Sequence, residues 1–179
     1  MKALWALFWS VCQLRRGPED MPYSTGLLVL VLLLDIALGI SVELVAEPAT
    51  LQAAMGVTLL AVASDALALW GLLRFKQAEL RYVQSLTTIY GADFMLGLIS
   101  LPLVALGLLL PEKTPWLAPL VFAQMLLVGW NLGVRGFVYH RALAIGIFQG
   151  NMLSLALFFL NIFISVKIFP ELLSASVAR

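Results

Sequence analysis

The chain has 179 residues, of which 62% are hydrophobic and 12% charged, with a net charge of +1 and a mean hydropathy of +1.00. Soluble domains contain about 45–50% apolar and about 25% charged residues, so this composition excludes a water-soluble globular domain and predicts an integral protein of the lipid bilayer. The near-neutral charge, without a basic run, predicts no nucleic-acid partner, and a single cysteine with a single histidine predicts neither a metal site nor a cofactor.

The first stretch of the chain, residues 1–14 (MKALWALFWSVCQL), is apolar and aromatic. A positive residue before a short apolar run is also the outline of a signal peptide, but two arginines follow the run and it has no small-x-small cleavage site. It is too short to cross about 30 Å of hydrocarbon as a helix. Trp5 and Trp9 suit the headgroup level, so the sequence predicts a short interfacial amphipathic helix with a connector, together residues 1–24.

Apolar segments long enough to span a bilayer fill most of the remaining chain. Turn-like and interfacial sequences separate them: AEPAT, RFKQAELRYVQS, PEKTPW and YHR. The sequence therefore predicts an all-α bundle of five transmembrane helices at residues 25–170, a short tail at 171–179, and a helix kink at Pro102, which lacks a backbone donor. The predicted spans are residues 25–45, 51–73, 86–110, 117–138 and 143–168.

Basic residues orient the predicted bundle. With a cytoplasmic N-terminus, eight lysines and arginines lie on the cytoplasmic side and three on the opposite side, which is the bias of the positive-inside rule. We therefore expect the N-terminus inside and the C-terminus outside, with cytoplasmic basic loops that also suit anionic headgroups. These loops contain Arg74, Lys76, Arg81, His140 and Arg141.

Charged and amide side chains within the apolar spans are the candidate functional residues. Asp65 lies about 13 Å along its helix from Arg74, and Asp93 lies about 10 Å beyond the start of the third span. Because an unpaired charge at such depth is costly, we predict that Arg135 compensates one or both of these aspartates. The predicted intramembrane polar layer consists of Asp35, Asp65, Asp93, Asn131, Arg135 and Asn151.

Two GxxxG patterns occur in the last two spans, one at Gly129 and Gly133 and the other at Gly146 and Gly150. Glycines four residues apart lie on one face of a helix and allow two backbones to approach closely. Both patterns fall at similar depth, so the sequence predicts close packing of the fourth and fifth spans through these glycines.

Two classes of function remain open, and a third, an enzyme, is not expected. Intramembrane carboxylates are typical of proton relays and cation sites, which makes a small proton- or cation-coupled transporter one alternative. Five spans do not divide into two equal halves and show no repeated broken helix, which favours a structural or partner-binding role. An enzyme is not expected, because Cys12 has no neighbouring histidine and the sequence contains neither a phosphate-binding glycine loop nor HExxH.

Three stretches of the sequence resemble the bacterial branch of the Yip family, small membrane proteins named for interaction with Ypt/Rab GTPases. The stretches are LRRGPEDMPYS, RYVQSLTTIYGADFMLGLISLPL and WNLGVRGFVYHRALAIGIFQGNMLSLAL. The most useful matches are the run from Gln84 to Gly91, Pro102, and Trp130 followed by Arg141 and Ala142.

The resemblance implies a five-span fold with a cytoplasmic N-terminus, here in a bacterial inner membrane with a periplasmic C-terminus. It implies a non-enzymatic role in membrane organisation or partner binding, with a membrane-protein partner or a second copy of the chain. The DLYGP motif of the eukaryotic members is missing and the N-terminal segment is short, so binding to Rab-type GTPases is not carried over.

Overall fold

The computed structural model describes residues 2–46, 50–111 and 114–169, and over these residues the chain is helical, with no strand. The predicted tail at 171–179 lies outside the described residues, as do 47–49 of the AEPAT turn and 112–113 of the PEKTPW turn. The α-helices are α1 (Lys2–Cys12), α2 (Thr25–Ala46), α3 (Leu51–Phe75), α4 (Tyr82–Leu109), α5 (Leu117–Leu143) and α6 (Ile147–Ile168), with 3-10 turns at Pro18–Asp20 and Glu79–Arg81.

The predicted fold class is confirmed. Within the described residues, the five helices α2 to α6 are long and apolar enough to cross a membrane, and the short helix α1 precedes them. Large apolar side chains point outwards along the spans, among them Leu33 (60% exposed), Phe122 (63%) and Phe163 (62%). A surface of this kind is stable only with hydrocarbon as its solvent, so the chain is a multi-pass membrane protein.

Helix α4 is the centre of the bundle, packed against α1, α2, α3 and α5. Every residue from Ser85 to Ala92 is buried, so the first turns of this helix are enclosed by their neighbours. The helix begins at Tyr82, four residues before the predicted start, and continues through Pro102 to Leu109. Pro102 removes one backbone donor but does not end the helix.

The predicted YHR turn is wrong. Helix α5 continues to Leu143, and it ends where Ala144 adopts a left-handed conformation (φ 51°) and donates its N–H to the His140 carbonyl. Helix α6 therefore begins at Ile147, with Gly146 as its N-cap, and not at residue 143. The physical reason is burial: Val138, Tyr139 and Ala142 pack into the core, and an uninterrupted helix keeps them there.

The predicted N-terminal helix is present, and one face of it packs on the bundle. Val11 and Cys12 are fully buried, and the ring of Phe8 lies directly over Gly91 of α4. The indole Nε1 of Trp130 donates a 2.7 Å hydrogen bond to the Cys12 carbonyl, and the rings of Trp9 and Trp130 meet edge to face. The depth at which α1 lies in the membrane stays a prediction.

Candidate functional site

A cluster of opposite charges joins three of the spanning helices. Arg135 of α5 donates from Nη1 to Asp65 Oδ2 of α3 at 2.6 Å, from Nη2 to Asp93 Oδ2 of α4 at 2.7 Å, and from Nε to Asp93 Oδ1 at 3.2 Å. The two carboxylate side chains are 3% and 9% exposed. We call Asp65, Asp93 and Arg135 the ion cluster. Arg135 pairs with Asp93 in the bidentate geometry, which is the strongest one for a guanidinium and a carboxylate.

Amide and hydroxyl groups complete the ion cluster. Asn131, one helical turn before Arg135, donates to Asp93 Oδ1 at 2.7 Å. Asn161 of α6 donates to Asp65 Oδ1 at 3.4 Å, and its own carbonyl oxygen accepts from Ser64 Oγ at 2.7 Å. Four helices therefore contribute to one polar network, which supplies the hydrogen bonds that buried charges need.

The same helices are aligned by hydrogen bonds above and below the ion cluster. The Tyr90 hydroxyl donates to the Val62 carbonyl at 3.0 Å and joins α4 to α3. Gln124 donates to Ser100 Oγ at 2.5 Å and joins α5 to α4. The partners in the Gln124–Ser100 and Asn131–Asp93 pairs are seven residues apart on each helix, which is the register of two antiparallel helices.

Asp35 lies at the edge of this network. Its side chain is half-buried, and its electrostatic neighbours are Asp93, Arg135 and Asp65. Among the residues that the structure describes, it forms no hydrogen bond or ion pair. The ion cluster and Asp35 together place three carboxyl groups around a single guanidinium, so the region has more acidic groups than basic ones.

The placement of Asn151 in the polar layer is wrong. Asn151 is exposed and packs against Gly136 at the contact between α5 and α6. Gly136 and Arg135 are neighbours in the chain, but successive helical residues point about 100° apart, so a residue facing one does not face the other. Asn161, further along the same helix, bonds to Asp65 in the place that was assigned to Asn151.

The contact between α5 and α6 is present, but the predicted glycines are only partly right. A β-carbon built at Gly150 would collide with the Gly136 carbonyl oxygen and stand 3.0 Å from the His140 nitrogen. One built at Gly136 would stand 2.8 Å from the Asn151 Cα. In the described part of the chain, no atom lies within 4 Å of the corresponding positions at Gly129 and Gly133. Gly146 is not in the contact either, because it caps α6.

Two of the predicted loop arginines bind other parts of the chain. Arg81 donates to the carbonyls of Arg141 and Ala142 at 3.3 and 3.4 Å, so it caps the C-terminal end of α5. Arg141 forms an ion pair with Glu19 of the connector. Arg74 lies over the Trp70 ring, 5.2 Å from its centre, and Lys76 is exposed in the loop after α3. Arg81 and Arg141 line one shared cavity with Glu19, whereas Arg74 and Lys76 do not line it.

The single cysteine is buried where α1 meets α4. Its thiol donates to the Ala92 carbonyl, with the sulfur 3.9 Å from the oxygen. Burial raises the pKa of Cys12 to about 12, and the negative charge of Asp93 contributes to the rise. A thiol in this state is a poor nucleophile at neutral pH, which agrees with a packing role for Cys12.

A cavity of about 380 Å³ lies beside the ion cluster, and Asp65 and Arg135 are among the residues that line it. Its walls come from α2, α3, α5 and α6. Among the described residues, no group of three or more histidine, cysteine, aspartate or glutamate side chains has the arrangement of a metal site. The polar residues that line the cavity are Glu43, Asp65, Asn131, Arg135, Asn161 and Ser165.

Five apolar spans held together by an internal Asp–Arg–Asp cluster define the class as a polytopic helical membrane protein. Comparison with family models, with curated proteins and with solved structures finds no match.

Proposed function

We propose that the protein is a non-enzymatic, Yip-like component of a bacterial inner membrane that organises the membrane or binds a membrane-protein partner. The observation that carries the proposal is the internal saturation of the ion cluster. Three nitrogens of Arg135 are bonded to carboxylates from two other helices, and both carboxylates also accept from amides. Groups bonded in this way hold helices together, as expected for a scaffold.

A candidate partner-facing surface lies in the loop between α3 and α4, on the predicted cytoplasmic side. Phe75 and Leu80 are 85% and 89% exposed, and they flank the exposed Lys76. Basic residues beside exposed apolar side chains suit either a partner protein or the anionic surface of the membrane. We propose that this loop is cytoplasmic because lysines and arginines are more numerous on its side of the predicted bundle.

Photo-crosslinking from the loop tests the partner-binding role. A photoreactive residue at position 80 is expected to capture one defined membrane protein, or a second copy of the chain, in intact cells. Leu109 is a matched control, because it is 81% exposed at the far end of α4, the helix that follows this loop. Loss of the adduct in a Phe75→Ser variant would support the proposal. Equal capture from positions 80 and 109, or no capture from either, would contradict it.

A small proton- or cation-coupled transporter is the second candidate. It is favoured by the excess of carboxyl groups around Arg135 and by the cavity that Asp65 and Glu43 line. Carboxylates beside a cavity are the usual elements of a proton or cation pathway.

Flux in proteoliposomes separates the two candidates. Proton or monovalent-cation flux that is lost in Asp65→Asn, with α-helical content and detergent stability retained, would establish transport. Absence of flux for every cation tested, together with the specific adduct at position 80, would favour the scaffold role.

A further inference from the structure

An apolar groove lies between α1 and α2, with α4 at its base. Its volume is about 600 Å³, which lies within the range of about 300–1,000 Å³ typical of ligand sites. Leu27, Leu30 and Leu34 of α2 form one wall, and Trp5 of α1 lies on the other. The groove is separate from the ion cluster and from the loop between α3 and α4.

The depth of the groove depends on a close approach of α1 to α4. The ring of Phe8 rests on Gly91, where a β-carbon would overlap it. Phe94 and Met95 continue the base of the groove along α4. Apolar groups therefore line the groove along its length, and Leu30 remains 54% exposed to whatever occupies it.

One positive charge lies at the groove. Among the described residues that line it, Lys2 is the charged one, and it is exposed. Trp5, which is 53% exposed, lies one turn further along α1. An apolar groove with an ammonium group and an indole at its side is complementary to a phospholipid, which combines a hydrocarbon chain with a phosphate.

We propose that this groove binds one phospholipid, with an acyl chain between α1 and α2 and an anionic headgroup beside Lys2. A lipid is favoured over a protein helix because the apolar lining carries a single ammonium group, Lys2, and lies next to the apolar outer side of α2, where Leu33 is 60% exposed. Since the groove wall belongs to α1, the bound chain fills the space between the N-terminal helix and the first span. This site is independent of the partner-binding role proposed above.

The test uses the full chain in phosphatidylcholine vesicles that contain phosphatidylglycerol with a photoreactive acyl chain. Adducts are expected on α1, on the Leu27–Leu34 face of α2 and on Phe94. Leu30→Trp should fill the groove and reduce these adducts about tenfold, equivalent to about 1.4 kcal/mol of binding free energy. Leu33→Trp is the matched control, because Leu33 is similarly exposed on α2 but does not line the groove.

The headgroup preference is tested separately. Lys2→Glu should abolish the preference for phosphatidylglycerol over a phosphatidylcholine that carries the same photoreactive chain, and Lys76→Glu should leave that preference unchanged. Alkylation of Cys12 shows in each variant whether α1 is still docked. If Leu30→Trp undocks α1, the positions of the adducts on the unmodified chain show whether the lipid occupies the groove.

Three results would overturn the proposal: adducts spread evenly around α2, equal labelling in Leu30→Trp and Leu33→Trp with α1 docked, or displacement of the lipid by a protein helix.

Discussion

Arg135 reaches its two carboxylates because a helical side chain leans towards the N-terminal end of its helix. Its guanidinium is therefore at the level of Asn131, one turn before its own Cα, and both residues bond to Asp93. Depth counted along the helix axes predicts this grouping of Asp65, Asp93 and Arg135. It does not predict the hydrogen bond from Asn161 to Asp65, because counting residues along one helix says nothing about which neighbour each face of that helix contacts.

Neutralising Arg135 should destabilise the protein more than neutralising either aspartate. Arg135→Gln leaves two buried carboxylates without a counter-charge, and breaking a buried pair costs about 3–5 kcal/mol. Asp65→Asn or Asp93→Asn still leaves one carboxylate for one guanidinium, so a smaller loss is expected. The measurement is the free energy of unfolding in mixed detergent micelles.

Lys167→Gln is the control for the loss of a positive charge, since Lys167 is exposed at the end of α6. Equal stabilities for Arg135→Gln and the unmodified protein would contradict the structural role of the ion cluster.

Cys12 should resist alkylation while α1 is docked. The raised pKa of about 12 means that the thiol stays protonated at pH 8, whereas an ordinary cysteine titrates near about 8.5. The rate of maleimide labelling, followed by mass spectrometry, should therefore stay low at pH 8 and increase in detergent-unfolded protein.

Phe8→Ala should increase the rate of Cys12 labelling in the folded protein, because it removes the ring that packs on Gly91. Trp116→Ala, at an exposed position outside this contact, is the control. Labelling of the native protein as fast as the unfolded one would show that α1 is not docked.

At the scale of elements, the α5–α6 contact depends on Gly136 and Gly150, whose backbones touch. Gly136→Val should cost about 1–3 kcal/mol, the usual penalty for overpacking. Gly129→Val changes the same helix in the same way but meets open space, so the difference between the two variants isolates the contact. A comparison of their unfolding free energies is the measurement; equal effects would mean that helix propensity alone is responsible.

Glycine spacing predicts correctly that α5 packs against α6. It does not predict which glycines form the contact. A GxxxG pattern identifies a face on which close approach is possible, but Gly129 and Gly133 turn that face away from α6. Gly136 belongs to no GxxxG pattern with another glycine of α5, so the sequence held no signal for its role. No sequence signal marks the end of α5 either, because its left-handed cap is Ala144 and not the glycine that usually occupies such a position.

At the scale of the whole molecule, the charge distribution predicts the orientation. A fluorescent protein fused to the C-terminus should remain dark and an alkaline phosphatase fused there should be active, because the positive-inside rule places the side that is richer in lysine and arginine in the cytoplasm. The same reporters inserted after Lys76 should give the opposite pattern. Fluorescence from the C-terminal fusion would reverse the predicted topology, including the side on which Phe75 and Leu80 lie.

The sequence alone predicts the five spans, the N-terminal helix and the common level of Asp65, Asp93 and Arg135 along their helices. These properties depend on local hydrophobicity and on a fixed rise per residue, and both can be read along the chain. Only the folded bundle fixes the rotation of each helix about its axis. That rotation pairs Arg135 with both aspartates, brings Asn161 and not Asn151 to the ion cluster, and forms the Gly136–Gly150 contact and the groove beside Lys2. Rotation is set by which neighbours pack together, and that is a property of the whole bundle.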